Sequence, residues 1–247
     1  MVPGLLATAS LNARQLSKSL RFFEVGTVFR NSGGGKATDL ESQGLGLLVS
    51  GQRAPIRWDE SSKTTCDLFD LKAIVQSLVP QGVVEFTTRQ REGFLLACDI
   101  KLDGKNIGVA GMVMPGRAKA LDVDSPIFVA ELDLKKVLTS MAGGDAIREL
   151  PQFPGSSRDM AIEAPLDLAN SEIESTVRKV KEPLLVNCIC FDVFTDPSGK
   201  RLAADKKSMA YSLTYRSDKE TLTNDQVSDA HERIRKALTD SLPISFR

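Results

Sequence analysis

The chain has 247 residues, and 32 Lys and Arg balance 32 Asp and Glu, so its formal net charge is zero. This balance excludes a strongly basic nucleic-acid clamp, while 42% hydrophobic residues fit a globular chain with one large or two modest domains. No apolar run reaches about 18 residues, the length of a membrane span, and residues 1–20 lack the apolar region of a signal peptide.

Four cysteines and one histidine, His231, leave little for metal binding or nucleophilic catalysis. Zinc needs Cys or His ligands at suitable spacing, and only Cys188 and Cys190 lie close together. A Cys-His or Ser-His-Asp system needs a placed histidine, whereas His231 lies in a helical stretch beside charged residues. We therefore expect reduced, buried thiols, a helix-surface histidine and a cytosolic protein.

The first half of the chain is predicted to consist mostly of strands. Asp103-Gly104 between two apolar runs indicates a hairpin, and adjacent hairpins favour an antiparallel sheet. Apolar residues at helical spacing predict an amphipathic helix over 66–79, and Asp133 can cap a second, shorter helix. The predicted elements are strands at 21–30, 45–50, 94–102, 106–113 and 126–132 and helices at 66–79 and 134–141.

The second half, after a Gly- and Pro-rich boundary near residue 150, has a more regular pattern. Asp167 or Asn170 is expected to cap its first helix, and Thr223 with Gln226 forms a T-x-x-Q capping box for its last helix. The order β-α-β-β-α-β is that of the ferredoxin-like unit, in which both helices cover one sheet face. The predicted elements are strands at 158–164, 185–194, 207–216 and 243–247, a helix that ends at about residue 181 and a helix from 223 for about 18 residues.

The uncovered face of that sheet is the most informative surface. Apolar residues alternate from Met209 to Tyr215 and are expected to face the helices, which leaves a small, polar outer face without stacked aromatics. This face is either a solvated surface or a docking face for a phosphate backbone or a protein partner. The basic residues predicted at its margins are Arg158, Lys200, Arg201, Lys206, Lys207 and Arg216.

Four motifs of the second half occur in a recognisable order: F-P-x-x-x-R-D at 153–159, F-D-V-F at 191–194, K-S-x-A-x-x-L-T-Y-R at 207–216 and T-L-T-x-x-x-V at 221–227. They resemble the ferredoxin-fold anticodon-binding domain of bacterial phenylalanine–tRNA ligase β chains. Through VPGLL, RFFEVGTVFR, DLFDLKAIVQSLV and FVAELDL, the first half is similar to the preceding catalytic-like domain.

The resemblance implies an α+β fold with a class II synthetase-like antiparallel-sheet domain at 1–150 and a ferredoxin-like βαββαβ domain at 151–247. It also implies a C-terminal fragment without the family's tRNA-binding and editing modules. The family joins phenylalanine to its tRNA in the cytoplasm, using ATP and Mg²⁺, as an (αβ)₂ heterotetramer whose active site belongs to the α subunit.

The resemblance implies that this fragment has no catalytic residue, metal or bound cofactor, ATP and Mg²⁺ belonging to the holoenzyme. Active class II enzymes end a signature strand in Arg-x-Glu, whereas here Arg30 is followed by Ser32 where Glu is expected. No third signature motif is found either, and phosphoryl chemistry depends on placed charges and metal ligands. A free-standing class II ligase-like protein that uses Arg30 is one alternative.

The expected partners are the α subunit, which residues 1–150 would support, and tRNA(Phe), whose anticodon stem-loop residues 151–247 would bind. No membrane or DNA partner is expected. The other alternative is a pure assembly module of the ligase, whose sheet face binds only protein. From their placement beside the open face or the last helix, the predicted RNA-binding residues are Arg158, Lys206, Lys207, Ser208, Arg216, Thr221 and Thr223.

Overall fold

The computed structural model describes residues 1–15, 19–29, 41–54, 58, 64–80, 82–141 and 150–246. The chain divides into two compact units, Met1–Asp145 and Ala146–Arg247. Arg30 and Ser32, on which the comparison with active class II enzymes depends, lie outside the described residues. None of the described helices is both long and apolar enough to cross a membrane.

The described part of the first unit forms a six-stranded antiparallel sheet with helices on both faces. Its elements are α1 (Val2–Arg14), β1 (Ser19–Phe29), β2 (Glu41–Gly51), α2 (Leu68–Leu78), β3 (Val84–Thr88), β4 (Phe94–Leu102), β5 (Lys105–Val113), α3 (Pro115–Ala120), β6 (Ile127–Asp133) and α4 (Leu134–Met141). The strands follow the order β1-β2-β6-β5-β4-β3. The predicted hairpin is β4–β5, and the Asp133 carboxylate accepts a hydrogen bond from the backbone N–H of Lys136, as predicted for a cap.

Apolar residues alternate along the central strands and build a core on each side of this sheet. One core joins odd-numbered residues of β2, such as Leu47, to α2 and α4. The other joins Leu48 to Leu5 of α1 and Ala118 of α3. Sequence alone did not predict α1, α3 or β3. Both α3 and β3 are short, with six and five residues, and β3 has no fully buried residue, whereas the apolar residues of α1 are scattered among polar ones.

The second unit has the ferredoxin-like order, which confirms the predicted fold. Its elements are β7 (Ser156–Pro165), α5 (Asn170–Val180), β8 (Leu185–Thr195), β9 (Lys206–Tyr215), α6 (Asn224–Ser241) and β10 (Ser245–Phe246). The antiparallel sheet follows the order β10-β7-β9-β8, with β8 at one edge. Met209, Tyr211, Leu213 and Tyr215 are buried with residues of α5 and α6, so the predicted inward face of β9 is confirmed.

The two helices of this unit begin differently. At α6, the Thr223 hydroxyl accepts from the N–H of Gln226 and the Gln226 side chain accepts from the N–H of Thr223, so the predicted capping box is confirmed. At α5, the prediction of Asp167 or Asn170 as cap is wrong, because Ala169 holds that position and offers no side-chain acceptor. The Asn170 side chain instead accepts a hydrogen bond from the Tyr211 hydroxyl at 2.6 Å.

Candidate nucleic-acid interface

The register of the second sheet defines its outer face, because residues directly opposite one another in antiparallel strands point to the same side. The face, which we call the open face, therefore consists of four rows that cross β8, β9 and β7. They are Phe194–Ser208–Glu163, Asp192–Ala210–Ala161, Ile189–Ser212–Asp159 and Asn187–Thr214–Ser157. Small residues occupy its centre, and three carboxylates interrupt it, so cations can attract an anion only near its ends.

Strand β8 adds apolar side chains that the sequence did not indicate. Ile189 and Phe194 belong to the open face, and Ile189 is 52% exposed. The expectation of a small, polar face was therefore wrong for this strand. Two register shifts, between Leu185 and Asn187 and between Cys190 and Asp192, interrupt the alternation of β8, so its outward residues could not be assigned from periodicity.

The loop between β8 and β9 places positive charge beside Phe194. The guanidinium carbon of Arg201 lies 5.1 Å from the centroid of the Phe194 ring, within the range of a cation–π interaction. The Asp196 carboxylate accepts hydrogen bonds from the Ser198 hydroxyl at 2.5 Å and from the backbone N–H of Arg201 at 2.7 Å. These bonds, the Ser198 hydroxyl first, lower the pKa of Asp196 to about 2.

Three of the predicted RNA-binding residues, Lys206, Ser208 and Arg216, occupy even-numbered positions along β9 or just after it, as the open-face residues of that strand do. Ser208 lies in its first row, and Lys206 lies opposite Pro165 at the same end of the sheet. Arg216 follows β9 at the opposite end, where its backbone N–H donates to the carbonyl of Leu184. All three are half-buried. The open face thus has one predicted cation near each end.

Arg158 and Lys207 instead lie on the side that the helices cover, contrary to their expected position beside the open face. Arg158 is paired with Leu213, and its guanidinium donates to the Asn224 side chain of α6 at 3.1 Å. The Lys207 ammonium donates to the carbonyls of Leu166 and Leu168, at 3.0 and 2.6 Å. Successive residues of a strand point to opposite faces, so the register places Arg158 and Lys207 on the face opposite Ser208. Both side chains already bind other groups of the second unit.

The two predicted threonines lie near the start of α6. Thr221 is exposed just before the helix. Thr223 is also exposed, but its hydroxyl belongs to the capping box and is already engaged with Gln226. The structure therefore separates the seven predicted residues into an open-face group, a helix-side pair and a pair near the N-terminus of α6.

Burial shifts the pKa values of two thiols and of the histidine in this unit. Burial raises the pKa of the Cys188 thiol to about 11, and it also raises the pKa of the Cys190 thiol. His231 is half-buried, not a free surface residue, and its Nδ1 lies 3.0 Å from the Tyr215 hydroxyl. Burial is the main cause that lowers the pKa of His231. Among the described residues, no group of three or more His, Cys, Asp or Glu is placed to hold a metal ion.

Comparisons with known proteins assign each unit to a domain family. The model of the phenylalanyl tRNA synthetase beta chain CLM domain matches residues 1–134, and that of the ferredoxin-fold anticodon binding domain matches residues 151–247. The two matches and the fold thus define a synthetase chain with an anticodon-binding type of domain. The chain belongs to the family of phenylalanyl-tRNA synthetase beta chains, which confirms the resemblance of its motifs.

Individual relatives agree with this assignment. The phenylalanine–tRNA ligase beta subunit of Symbiobacterium thermophilum is 30% identical over 243 residues, covering 96% of this chain and 27% of the relative. That of Bacillus subtilis is 30% identical over 256 residues, covering 100% of this chain and 31% of the relative. The chain thus spans about three tenths of the length of the curated relatives it matches.

Among solved structures, a pyrrolysyl tRNA synthetase from Desulfitobacterium hafniense is similar at 19% sequence identity and a TM-score of 0.42. The match covers 61% of this chain and 53% of that structure. A likeness of this size supports no statement about fold or function.

Proposed function

We propose that this chain serves the attachment of phenylalanine to tRNA(Phe), as part of a cytoplasmic ligase, and that its second unit binds the anticodon stem-loop. The observation that carries the proposal is a sheet face that the described residues leave uncovered, in a unit that matches a family of anticodon-binding domains. The relatives named above are beta subunits of phenylalanine–tRNA ligase. An α subunit is accordingly the proposed partner.

The chemistry of the open face supports RNA as its ligand. Ala161 and Ala210 at its centre permit the close approach of a ligand. Lys206 and Arg216 supply charge for phosphates near the two ends. The acidic side chains between them favour a short, looped RNA segment with phosphates at the ends over a phosphate backbone that runs along the whole face.

The first unit is proposed to support the α subunit by direct packing. Phe23, Val25 and Phe29 lie on one side of the edge strand β1, and Phe23 and Phe29 are 75% and 73% exposed. Exposed apolar clusters on a sheet edge are typical of protein interfaces. The same observation favours the second candidate function, a module that only assembles the ligase.

We also propose that this fragment alone is non-catalytic and binds no cofactor, with ATP and Mg²⁺ bound elsewhere in the holoenzyme. The sequence supports this through Ser32, which replaces the expected Glu two residues after Arg30. Phenylalanine-dependent pyrophosphate exchange tests the proposal. The chain alone should give no exchange, and measurable exchange would instead support a free-standing class II ligase-like protein.

Binding of an anticodon stem-loop hairpin to the assembled ligase tests the RNA proposal. Lys206→Gln and Arg216→Gln should each weaken binding and reduce the slope of log affinity against log salt by about one. Lys207→Gln is the matched control, because its ammonium is already bound to two carbonyls, and it should leave the slope unchanged. An affinity that neither open-face variant alters would favour the assembly module.

A further inference from the structure

The Asp196 carboxylate organises the loop between β8 and β9 through both of its oxygens. Oδ1 accepts from the backbone N–H of Ser198 at 2.9 Å and from its hydroxyl at 2.5 Å. Oδ2 accepts from the backbone N–H of Arg201 at 2.7 Å. Gly199 lies between them with a φ of 68°, a left-handed conformation that favours glycine, so the chain turns around the carboxylate.

Arg201 is consequently held at two points. Its backbone N–H is bound to Asp196, and its guanidinium lies over the Phe194 ring. The next residue, Leu202, is buried and fixes the chain after the turn. Because Phe194 belongs to the open face, this arrangement brings a cation to the same end of the face as Ser208.

An arginine over an aromatic ring is well suited to bind phosphate. The cation–π interaction leaves the N–H donors of the guanidinium, which lie in its plane, able to form paired hydrogen bonds with phosphate oxygens. The other cation of the loop, Lys200, has no comparable support among the described contacts. The position of Arg201, by contrast, depends on a carboxylate five residues earlier in the chain.

We propose that Arg201 binds an RNA phosphate at the Phe194 end of the open face, and that Asp196 is the positioning residue that holds Arg201 there. This inference rests on the proposed function, because it assumes that the open face binds RNA. Asp196 itself does not contact the RNA. Its removal should weaken RNA binding only by releasing Arg201, because the loss of a negative charge by itself would favour binding of a phosphate.

Two nearly isosteric variants separate positioning from general loop stability. Asp196→Asn replaces one carboxylate oxygen by an NH₂ donor, so the N–H of either Ser198 or Arg201 loses the oxygen that it now faces. Ser198→Ala removes only the hydroxyl donor and leaves the bond between Asp196 and Arg201 intact. In NMR spectra of the chain, the Phe194 ring should displace the Arg201 side-chain signals. This displacement should decrease in Asp196→Asn and persist in Ser198→Ala.

Binding of the anticodon stem-loop hairpin to the assembled ligase is the decisive measurement. Arg201→Gln should weaken binding roughly tenfold, the size of one charge-assisted contact, and lower the salt slope by about one. Asp196→Asn should change both in the same direction, and the double variant should bind no more weakly than Arg201→Gln. Ser198→Ala should bind like the wild type.

The variant Arg216→Gln, at the other end of the face, keeps the two proposals distinguishable. If Arg216→Gln weakens binding while Asp196→Asn does not, or if the effects of Asp196→Asn and Arg201→Gln add, the inference is wrong and the proposed function remains. If the wild-type ligase does not bind the hairpin, or the open-face variants leave its binding unchanged, the proposed function fails and the inference fails with it.

Discussion

The two sheets of this chain differ in how many of their faces are covered. In the first unit, α2 and α4 pack on one face of the six-stranded sheet, and α1 and α3 pack on the other. In the second unit, α5 and α6 pack on one face, and the described residues leave the other face uncovered. Both units are α+β with antiparallel strands, so the difference arises from the placement of helices and not from the type of sheet.

This difference determines where each unit can bind a partner. A sheet with two covered faces offers its edges, and there the first unit exposes Phe23 and Phe29 of β1. A sheet with one free face offers a broad surface, and there the second unit carries small and polar side chains on β7 and β9 and also Ile189 and Phe194 on β8. An apolar edge favours protein contact and a small polar face with cations at its ends favours RNA, so the two proposed partners follow from one structural difference.

Core substitutions should change the free energy of unfolding the most, and they test directly which sheet faces are covered by helices. Leu48→Ala on one face of the first sheet and Ile100→Ala on the other should each lower the free energy of unfolding by about 2–5 kcal/mol, because both side chains are fully buried. In the second unit, Leu213→Ala should do the same, whereas Thr214→Ala on the open face should change it by less than about 0.5 kcal/mol.

Hydrogen exchange measured separately for each unit checks this prediction. A loss above about 2 kcal/mol in Thr214→Ala would mean that the open face is covered, since only buried positions reach such values. Near-UV circular dichroism adds a specific signal, because Tyr211 and Tyr215 are the two tyrosines of the chain and both are buried in the second unit.

A partly buried ion pair should give the next largest effect. The Glu182 carboxylate, whose side chain is 2% exposed, accepts a hydrogen bond from Arg233 Nε at 2.8 Å and joins α6 to the turn after α5. Arg233→Met would leave that carboxylate without its cation. We expect a loss of about 1–2 kcal/mol in urea unfolding, less than for a fully buried pair because Arg233 is half-exposed.

Arg178→Met on α5 is a suitable control for this pair. Its ion pair with Glu174 joins two exposed side chains within one helix, at 3.7 Å, and should contribute less than about 0.5 kcal/mol. Equal losses for the two variants would contradict a special role of the contact between Arg233 and Glu182.

The two helices that cover the second sheet allow a matched test of capping. Thr223→Ala removes the side-chain acceptor at the start of α6 and should cost about 0.5–2 kcal/mol. Ala169→Ser adds an acceptor at the start of α5, where there is none, and should stabilise the unit by about 0.5–1 kcal/mol. Thermal unfolding, followed by the tyrosine signal, gives the change in melting temperature for each variant. A change of the same sign for the two variants would contradict the expected effects of capping.

Local patterns explain which features the sequence could predict. The alternation of β9 and the T-x-x-Q box of α6 are complete within a few residues, and the structure contains both. The outward residues of β8 depend on two register shifts, which follow from pairing with β9 and not from local sequence. Likewise, Lys206 and Lys207 look alike in sequence, yet strand parity and the carbonyls of Leu166 and Leu168 separate their positions.

The smallest predicted effect is a pH dependence that belongs to the second unit alone, because His231 is the single histidine of the chain. Burial, followed by the charge of Arg235, lowers the pKa of His231 below its ordinary value of 6.5, while Glu232 opposes this and Arg158 adds to it. Above that ordinary value, both folded and unfolded chains have a neutral histidine. As the pH falls below it, the unfolded chain binds the proton first, so the free energy of unfolding decreases until the folded histidine is also protonated.

His231→Asn isolates this contribution, because asparagine does not titrate and can still bond to the Tyr215 hydroxyl. The free energies of unfolding of the wild type and the variant should differ by an amount that changes between about pH 8 and about pH 5.5, with the wild type losing more stability on acidification. Urea unfolding followed by the tyrosine signal measures this difference. A difference that is independent of pH would mean that His231 is as accessible to solvent in the folded chain as in the unfolded one, and that this end of α6 does not cover the sheet.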